Sequence, residues 1–146
     1  LAAAAYAAAQ PCAAPLHILL AEDNAVNQQV MVLLLEKLGH AVTVVGDGLQ
    51  ALQALAQARY DVLLLDVMMP VMDGLQVLQA LRGQSGPQSP WCGTLRQPLP
   101  QVLMVTAQAM PEDLHRFELA GADGVVTKPV SLDQLCRGLR DMRPVY

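Results

Sequence analysis

The stretch "VLLLDVMMPVMDG", residues 62–74, is an apolar run that ends on a carboxylate. Val62, Leu63, Leu64 and Leu65 are apolar at successive positions, so a strand built from them has no polar face to give to water. Strands buried on both faces belong to parallel sheets with helices packed on either side. Asp66 closes the run without a basic neighbour, and a loop rich in Met, Pro and Gly follows. The groups that balance this carboxylate must therefore come from elsewhere in the chain.

The pattern repeats outward from this segment. "LHILLA" (16–21) and "AVTVVG" (41–46) are earlier runs of the same kind, and "QVLMVTA" (101–107) and "DGVVTK" (123–128) are later ones. Between them the apolar spacing becomes helical. Asn24 is placed to cap a first helix in which Val26, Val30, Leu33, Leu34 and Leu38 form one inward stripe, closed by Gly39. Asp47 opens a second helix with Leu49, Leu52, Leu55 and Ala56 on one face, and a third, from about Asp73 to Arg82, carries Leu75, Leu78 and Leu81. Pro111 starts a fourth, with Glu112 and Asp113 in the turn where the helix dipole favours acids. Ser131-x-x-Gln134 is a capping box for a fifth, with Leu132, Leu135, Cys136 and Leu139 inward. Strand–helix alternation of this kind predicts an α/β fold, a doubly wound five-stranded parallel sheet flanked by five helices.

Composition narrows the class. Of 146 residues 53% are hydrophobic but only 3% are aromatic, so the core must be aliphatic. The net charge of −4 and the lack of any Lys/Arg cluster argue against nucleic-acid binding by this domain. Cys12, Cys92 and Cys136 are widely spaced and form no metal or CxxC pattern, which fits a reduced, cytoplasmic protein. "LAAAAYAAAQPCAAP" (1–15) lacks a basic leader region and is too short to span a bilayer. It is expected to be an Ala/Pro linker, ahead of a domain over 16–143 that makes no membrane contact itself. "GQSGPQSPWCGTLRQPLP" (83–100) holds four Pro and three Gly and keeps no periodicity, so it reads as an inserted loop. It should leave the third helix at the end of the sheet away from Asp66.

In open parallel sheets, ligands collect beyond the carboxyl ends of the strands, where the strand order reverses. The polar residues at those ends are Glu22 and Asp23 after the first run, Asp66 at the third, Thr106 at the fourth and Lys128 at the fifth. Each alone has a plain reading: the aspartates as turn formers, Lys128 as a surface lysine, Thr106 as a β-branched strand residue. Together they are complementary. Three carboxylates drawn together repel one another, and a hard divalent cation with the Lys128 ammonium would relieve that repulsion. Mg²⁺, which prefers carboxylate and carbonyl oxygens, suits the set. A carboxylate so placed can attack phosphorus to give an aspartyl phosphate, a transfer that needs positioning and charge neutralisation. Lys128 and the Thr106 hydroxyl would meet the phosphoryl oxygens, and the small Ala107 leaves the approach open.

"ILLAEDNAVNQ" (18–28), "LLLDVMMPVMDG" (63–74), "VTA" (105–107) and "GADGVVTKP" (121–129) resemble the signature segments of the receiver domains of two-component response regulators. The first two are most similar to receivers attached to hybrid sensor histidine kinases. The resemblance covers about Leu16 to Arg143. It implies a flavodoxin-like fold with strand order 2-1-3-4-5 and Asp66 as phosphoacceptor. Glu22, Asp23, Asp66 and the backbone carbonyl of Met68 would hold Mg²⁺, and Thr106 and Lys128 would contact the phosphoryl group. It also implies a cis Lys128–Pro129 peptide and a phosphohistidine donor on a histidine kinase or histidine-phosphotransfer domain. The parent protein could then be a membrane-bound sensor kinase with this domain on its cytoplasmic side.

Two departures from the family pattern stand out. Segment 83–100 is about ten residues longer than the usual connection, and Val125 stands where the family carries Tyr or Phe. His17, His40 and His115 lie in no phosphohistidine context and read as ordinary residues. Three rival functions share the fold. An FMN-binding flavodoxin would need a Ser/Thr/Gly-rich phosphate loop where "AEDNAVNQ" stands, and a DxD phosphatase fails because Val-Met-Met follows Asp66. A non-phosphorylated interaction module is the third, and the complete set of site side chains argues against it.

Overall fold

In a computed structural model of the chain, the residues described are 15–81, 100–107, 110–128 and 130–139. The order of elements is β1 (His17–Ala21), α1 (Ala25–Lys37), β2 (Ala41–Val45), α2 (Gly48–Gln57), β3 (Val62–Asp66), α3 (Gly74–Leu81), β4 (Gln101–Thr106), α4 (Pro111–Ala120), β5 (Gly124–Thr127) and α5 (Leu132–Leu139). All strand pairs are parallel, in the order β2-β1-β3-β4-β5. From β1 the chain moves first to one side, to β2, and then back across to β3. The loops leaving β1 and β3 therefore diverge, and a crevice opens between them.

The sheet divides the core in two. Leu19, Ala21, Leu63 and Leu65 face α2, α3 and α4, while Ile18, Leu20, Val62 and Leu64 face α1 and α5. This is the period-two alternation of a strand, with both faces taken up by helices. Leu63, Leu64 and Leu65 are completely buried, each worth on the order of 2 kcal/mol in apolar surface removed from water. The apolar run 62–65 is thus the central strand of the sheet.

Local chemistry fixes the helix starts. Asn24 Oδ1 accepts the amides of Val26 at 2.9 Å and Asn27 at 3.1 Å, and Asp47 Oδ1 accepts that of Gln50 at 2.8 Å. Ser131 and Gln134 form the expected box, Gln134 N–H donating to Ser131 Oγ at 3.2 Å and Ser131 N–H to Gln134 Oε1 at 3.0 Å. Pro111 opens α4 with Glu112 and Asp113 in its first turn. Asp73 and Gln76 make a second reciprocal box, at 2.9 and 3.0 Å, that fixes the start of α3.

One expectation is overturned. Of the expected stripe, Val26, Val30 and Leu33 face outward, at 67%, 45% and 61% exposure. Leu38 is buried and Leu34 packs against the core as expected, and Met31 and Leu35 take the inward places of the other three. Helix α1 is apolar on nearly every face, so its sequence allows two inward orientations; packing against β1 and α5 selects the one centred on Leu35. Among the described residues no helix is long and apolar enough to cross a membrane. The expected linker up to residue 14, nearly all of the loop 83–100 with Trp91 and Cys92, and the Lys128–Pro129 peptide lie outside the described residues.

Candidate functional site

Each candidate side chain stands at the carboxyl end of a strand. β1 runs straight into Glu22, whose amide donates to the Val45 carbonyl at 3.1 Å and so extends the ladder to β2 by one step. Glu22 is buried and Asp23, next to it, is exposed at the mouth of the crevice. Asp66, the last residue of β3, is buried and lies opposite Val105 in the register; Thr106 follows one position on, also buried. Lys128 follows β5, and its amide donates to the Thr106 carbonyl at 2.8 Å.

The fold brings oppositely charged groups into contact. Lys128 Nζ donates to Asp66 Oδ2 at 2.9 Å and lies 3.5 Å from Glu22 Oε2. Carboxylate oxygens of Glu22, Asp23 and Asp66 all lie within 4.8 Å of one another. Burial first, and then the charge of Asp66, pushes the Glu22 carboxyl up from 4.5 to about 6. Burial on its own would lower Lys128, yet the hydrogen bond and charge of Asp66 and the charge of Glu22 hold its ammonium above the ordinary value. One lysine thus faces three carboxylates, and the cluster has an excess of negative charge. Hard oxygen donors with such an excess suit a divalent cation of the Mg²⁺ type.

The backbone around Asp66 is held closely. Met68 N–H donates to Asp66 Oδ1 at 3.3 Å, although the Met68 side chain points out to solvent. Gly74 N–H reaches back to the Val67 carbonyl at 2.9 Å. A Cβ at Gly74 would sit 2.4 Å from the Asp66 carbonyl oxygen and 2.9 Å from Val67 Cα, so only glycine lets α3 start this close to the site. The sequence shows this glycine in "MDG", but not the backbone approach that requires it. Gln28, at the start of α1, donates its side-chain amide to the Glu22 carbonyl at 2.6 Å and ties the helix to the acidic loop; it closes the segment 18–28, but the sequence assigned it no role. A cleft of about 480 Å³ leads down to Glu22 and Lys128 between apolar walls that include Val30, Met31, Val105 and Val130.

Known proteins share this arrangement. The chain is 36% identical, over 97% of its length, to the sensor histidine kinase AruS of Pseudomonas aeruginosa, and 30% identical, over 87%, to a probable histidine kinase of Oryza sativa subsp. indica. It spans only 14% and 15% of the lengths of these two proteins, respectively. Among solved structures, it is similar to the receiver domain of a Pseudomonas aeruginosa sensor histidine kinase, which holds a magnesium ion in its active-site cleft. The TM-score is 0.68 at 34% identity, covering 87% of this chain and 97% of that one. The chemotaxis protein CheY4 of Vibrio cholerae superposes with a TM-score of 0.72 at 29% identity, covering 89% of this chain and all of that one. The family model of the response regulator receiver domain matches residues 18–140. With the sheet order, the crevice and the acidic cluster, that match assigns the chain to the response regulator receiver domains of two-component signalling.

Proposed function

We infer that Asp66 is the phosphoacceptor, taking a phosphoryl group from a phosphohistidine on a histidine kinase or histidine-phosphotransfer domain. The observation that carries this reading is the 2.9 Å contact of Lys128 Nζ with Asp66 Oδ2 inside the cluster of three carboxylates. In the transfer, an Asp66 oxygen attacks phosphorus as the bond from phosphorus to the imidazole nitrogen breaks, and the electron pair returns to the imidazole. Lys128 would neutralise charge on the phosphoryl oxygens, and the Thr106 hydroxyl would donate to one of them. Glu22, Asp23, Asp66 and the Met68 carbonyl would hold Mg²⁺, which when bound offsets the phosphoryl charge. Kinase relatives many times longer than this chain support a parent that is a hybrid sensor histidine kinase, with this domain over 16–143 on its cytoplasmic side.

The test is labelling by acetyl phosphate with Mg²⁺. The wild type is expected to form a hydroxylamine-sensitive acyl phosphate, and Asp66→Asn to form none. Equal labelling of the two, or a label that resists hydroxylamine, would sink the assignment.

A further inference from the structure

At the opposite end of the sheet from the acidic cluster, His40 lies where the chain turns from α1 into β2. Gly39 takes the left-handed conformation with φ 89°. The His40 amide donates to the Leu35 carbonyl at 3.1 Å, and the Gly39 amide to that of Glu36 at 3.0 Å. The residue that completes this paired closure is commonly apolar and packs back onto the helix. Here it is an imidazole, 4% exposed. Its Nδ1 accepts the Leu16 amide at 3.0 Å, and the Leu16 carbonyl accepts the Ala41 amide at the same distance. The ring nitrogen thus takes the place of a backbone carbonyl at the open start of the β1–β2 ladder. Accepting at Nδ1 puts the ring proton on Nε2, a buried atom with no hydrogen-bond partner among the described residues.

We propose that His40 is an acid-operated latch on the start of the sheet: a proton gained at Nδ1 breaks its bond to the Leu16 amide and turns the ring outward about Gly39, freeing the first residues of β1 and the α1–β2 turn. Protonated Nδ1 would set a donor against the Leu16 donor. The cation would also lie in the cluster of Leu16, Leu35 and Leu38 without a counter-charge among the described residues. Nothing lies within 4 Å of where a Gly39 side chain would project, so the turn has room to open. The carbonyl end of α1 then favours the cation in solvent.

Among the described residues, the charged and titratable groups on the surrounding elements are occupied or exposed. Glu36 and Lys37 at the end of α1 are exposed. His17 on β1 packs against Tyr60 and meets Thr43, and Asp61 ahead of β3 accepts the His17 amide. Asp133 and Arg137 on α5 pair with each other. Burial alone lowers His40 below its ordinary value of 6.5. The native state therefore binds fewer protons than the unfolded chain. The contribution of His40 to stability is complete above about 6.5 and is lost as the pH falls toward the lower folded value.

The test is amide exchange at Leu16, followed by NMR from about pH 7.5 to about pH 5 with the His40 ring nitrogen shifts, in wild type, His40→Gln and His17→Gln. Gln keeps an acceptor and does not titrate. Protection at Leu16, corrected for intrinsic exchange, is expected to fall about fivefold in wild type and His17→Gln, the loss of one hydrogen bond, and to hold in His40→Gln. A parallel loss in His40→Gln, or a Leu16 amide that stays protected while the His40 ring takes up its proton, overturns the latch. If His40→Gln does not fold, the wild type decides: Leu16 protection must follow the titration of His40 and not that of His17 or His115.

Discussion

Glu22→Gln should stabilise the metal-free protein while removing its response to Mg²⁺. The rise of the Glu22 carboxyl from 4.5 to about 6 corresponds to about 2 kcal/mol of cost for holding the charged form in the folded state. Because the raised value belongs to an acid, the folded state holds more protons than the unfolded chain between those two values. Stability therefore falls as the pH rises through that window, and the full cost is present at neutral pH. Gln keeps an oxygen for the Asn24 amide, which Glu22 Oε1 accepts at 3.2 Å; the cost is already net of the attraction of Lys128 at 3.5 Å, but the buried amide of Gln carries a desolvation cost of its own. A net gain of about 1 kcal/mol, or about 4 °C in Tm for a domain of this size, is expected near neutral pH. Calorimetry in chelator should show that gain and its disappearance as the pH falls below about 4.5, where Glu22 becomes protonated in both states. Millimolar Mg²⁺ should then raise the wild type by mass action and reverse the order. A Gln variant less stable than wild type in chelator would show that the Lys128 pairing outweighs burial, refuting the account of an overcharged site.

Asp23→Ala should leave metal-free stability within about 0.5 kcal/mol, since the side chain is exposed, yet abolish the Mg²⁺-induced rise in Tm seen by thermal melting. Gly74→Ala should cost roughly 3 kcal/mol in urea unfolding, because its Cβ would press on the Asp66 carbonyl at 2.4 Å; a cost no larger than that of an exposed helical position would show the α3 start to be pliable. Val125 is half-buried on β5 against the cluster that holds Phe117, and its stiff, short side chain has no second site to occupy. Amide shifts with and without beryllofluoride should change around Thr106 and little across α4 and α5, and large changes there would show a switch that works without an aromatic.

What the sequence revealed was set by how local the cause was. The central strand was legible because four successive apolar residues exclude a half-exposed strand, and the caps at Asn24, Asp47 and Ser131 because each acts within three residues. The convergence of Glu22, Asp23, Asp66 and Lys128 was legible because parallel topology places every strand end on one side. The α1 orientation was not, because Val26, Val30 and Leu33 are as apolar as the Met31 and Leu35 that replaced them inside. His40 read as ordinary and Asp61 drew no reading, since their partners, Leu16 and His17, are set by strand order and lie 24 and 44 positions away.

The same side-chain chemistry does opposite work at the two ends of the sheet, and strand direction explains why. Where strands begin, leading amides need acceptors, and side chains from neighbouring segments supply them. Asp61 accepts the His17 amide at 2.8 Å, Asp123 the Val102 amide at 2.7 Å and His40 the Leu16 amide at 3.0 Å. These groups are used up in closing the ladder. Where strands end, the carboxylates receive only longer amide contacts among the described residues, 3.2 Å at Glu22 and 3.3 Å at Asp66. Backbone donors there leave much of the negative charge unbalanced, and one ammonium cannot neutralise three carboxylates. An aspartate that opens or precedes a strand is thus spent on structure, while one that closes a strand keeps charge available for a cation and a phosphoryl group. Asp61 and Asp66 flank the same four apolar residues, and this difference of end separates a structural carboxylate from the proposed phosphoacceptor.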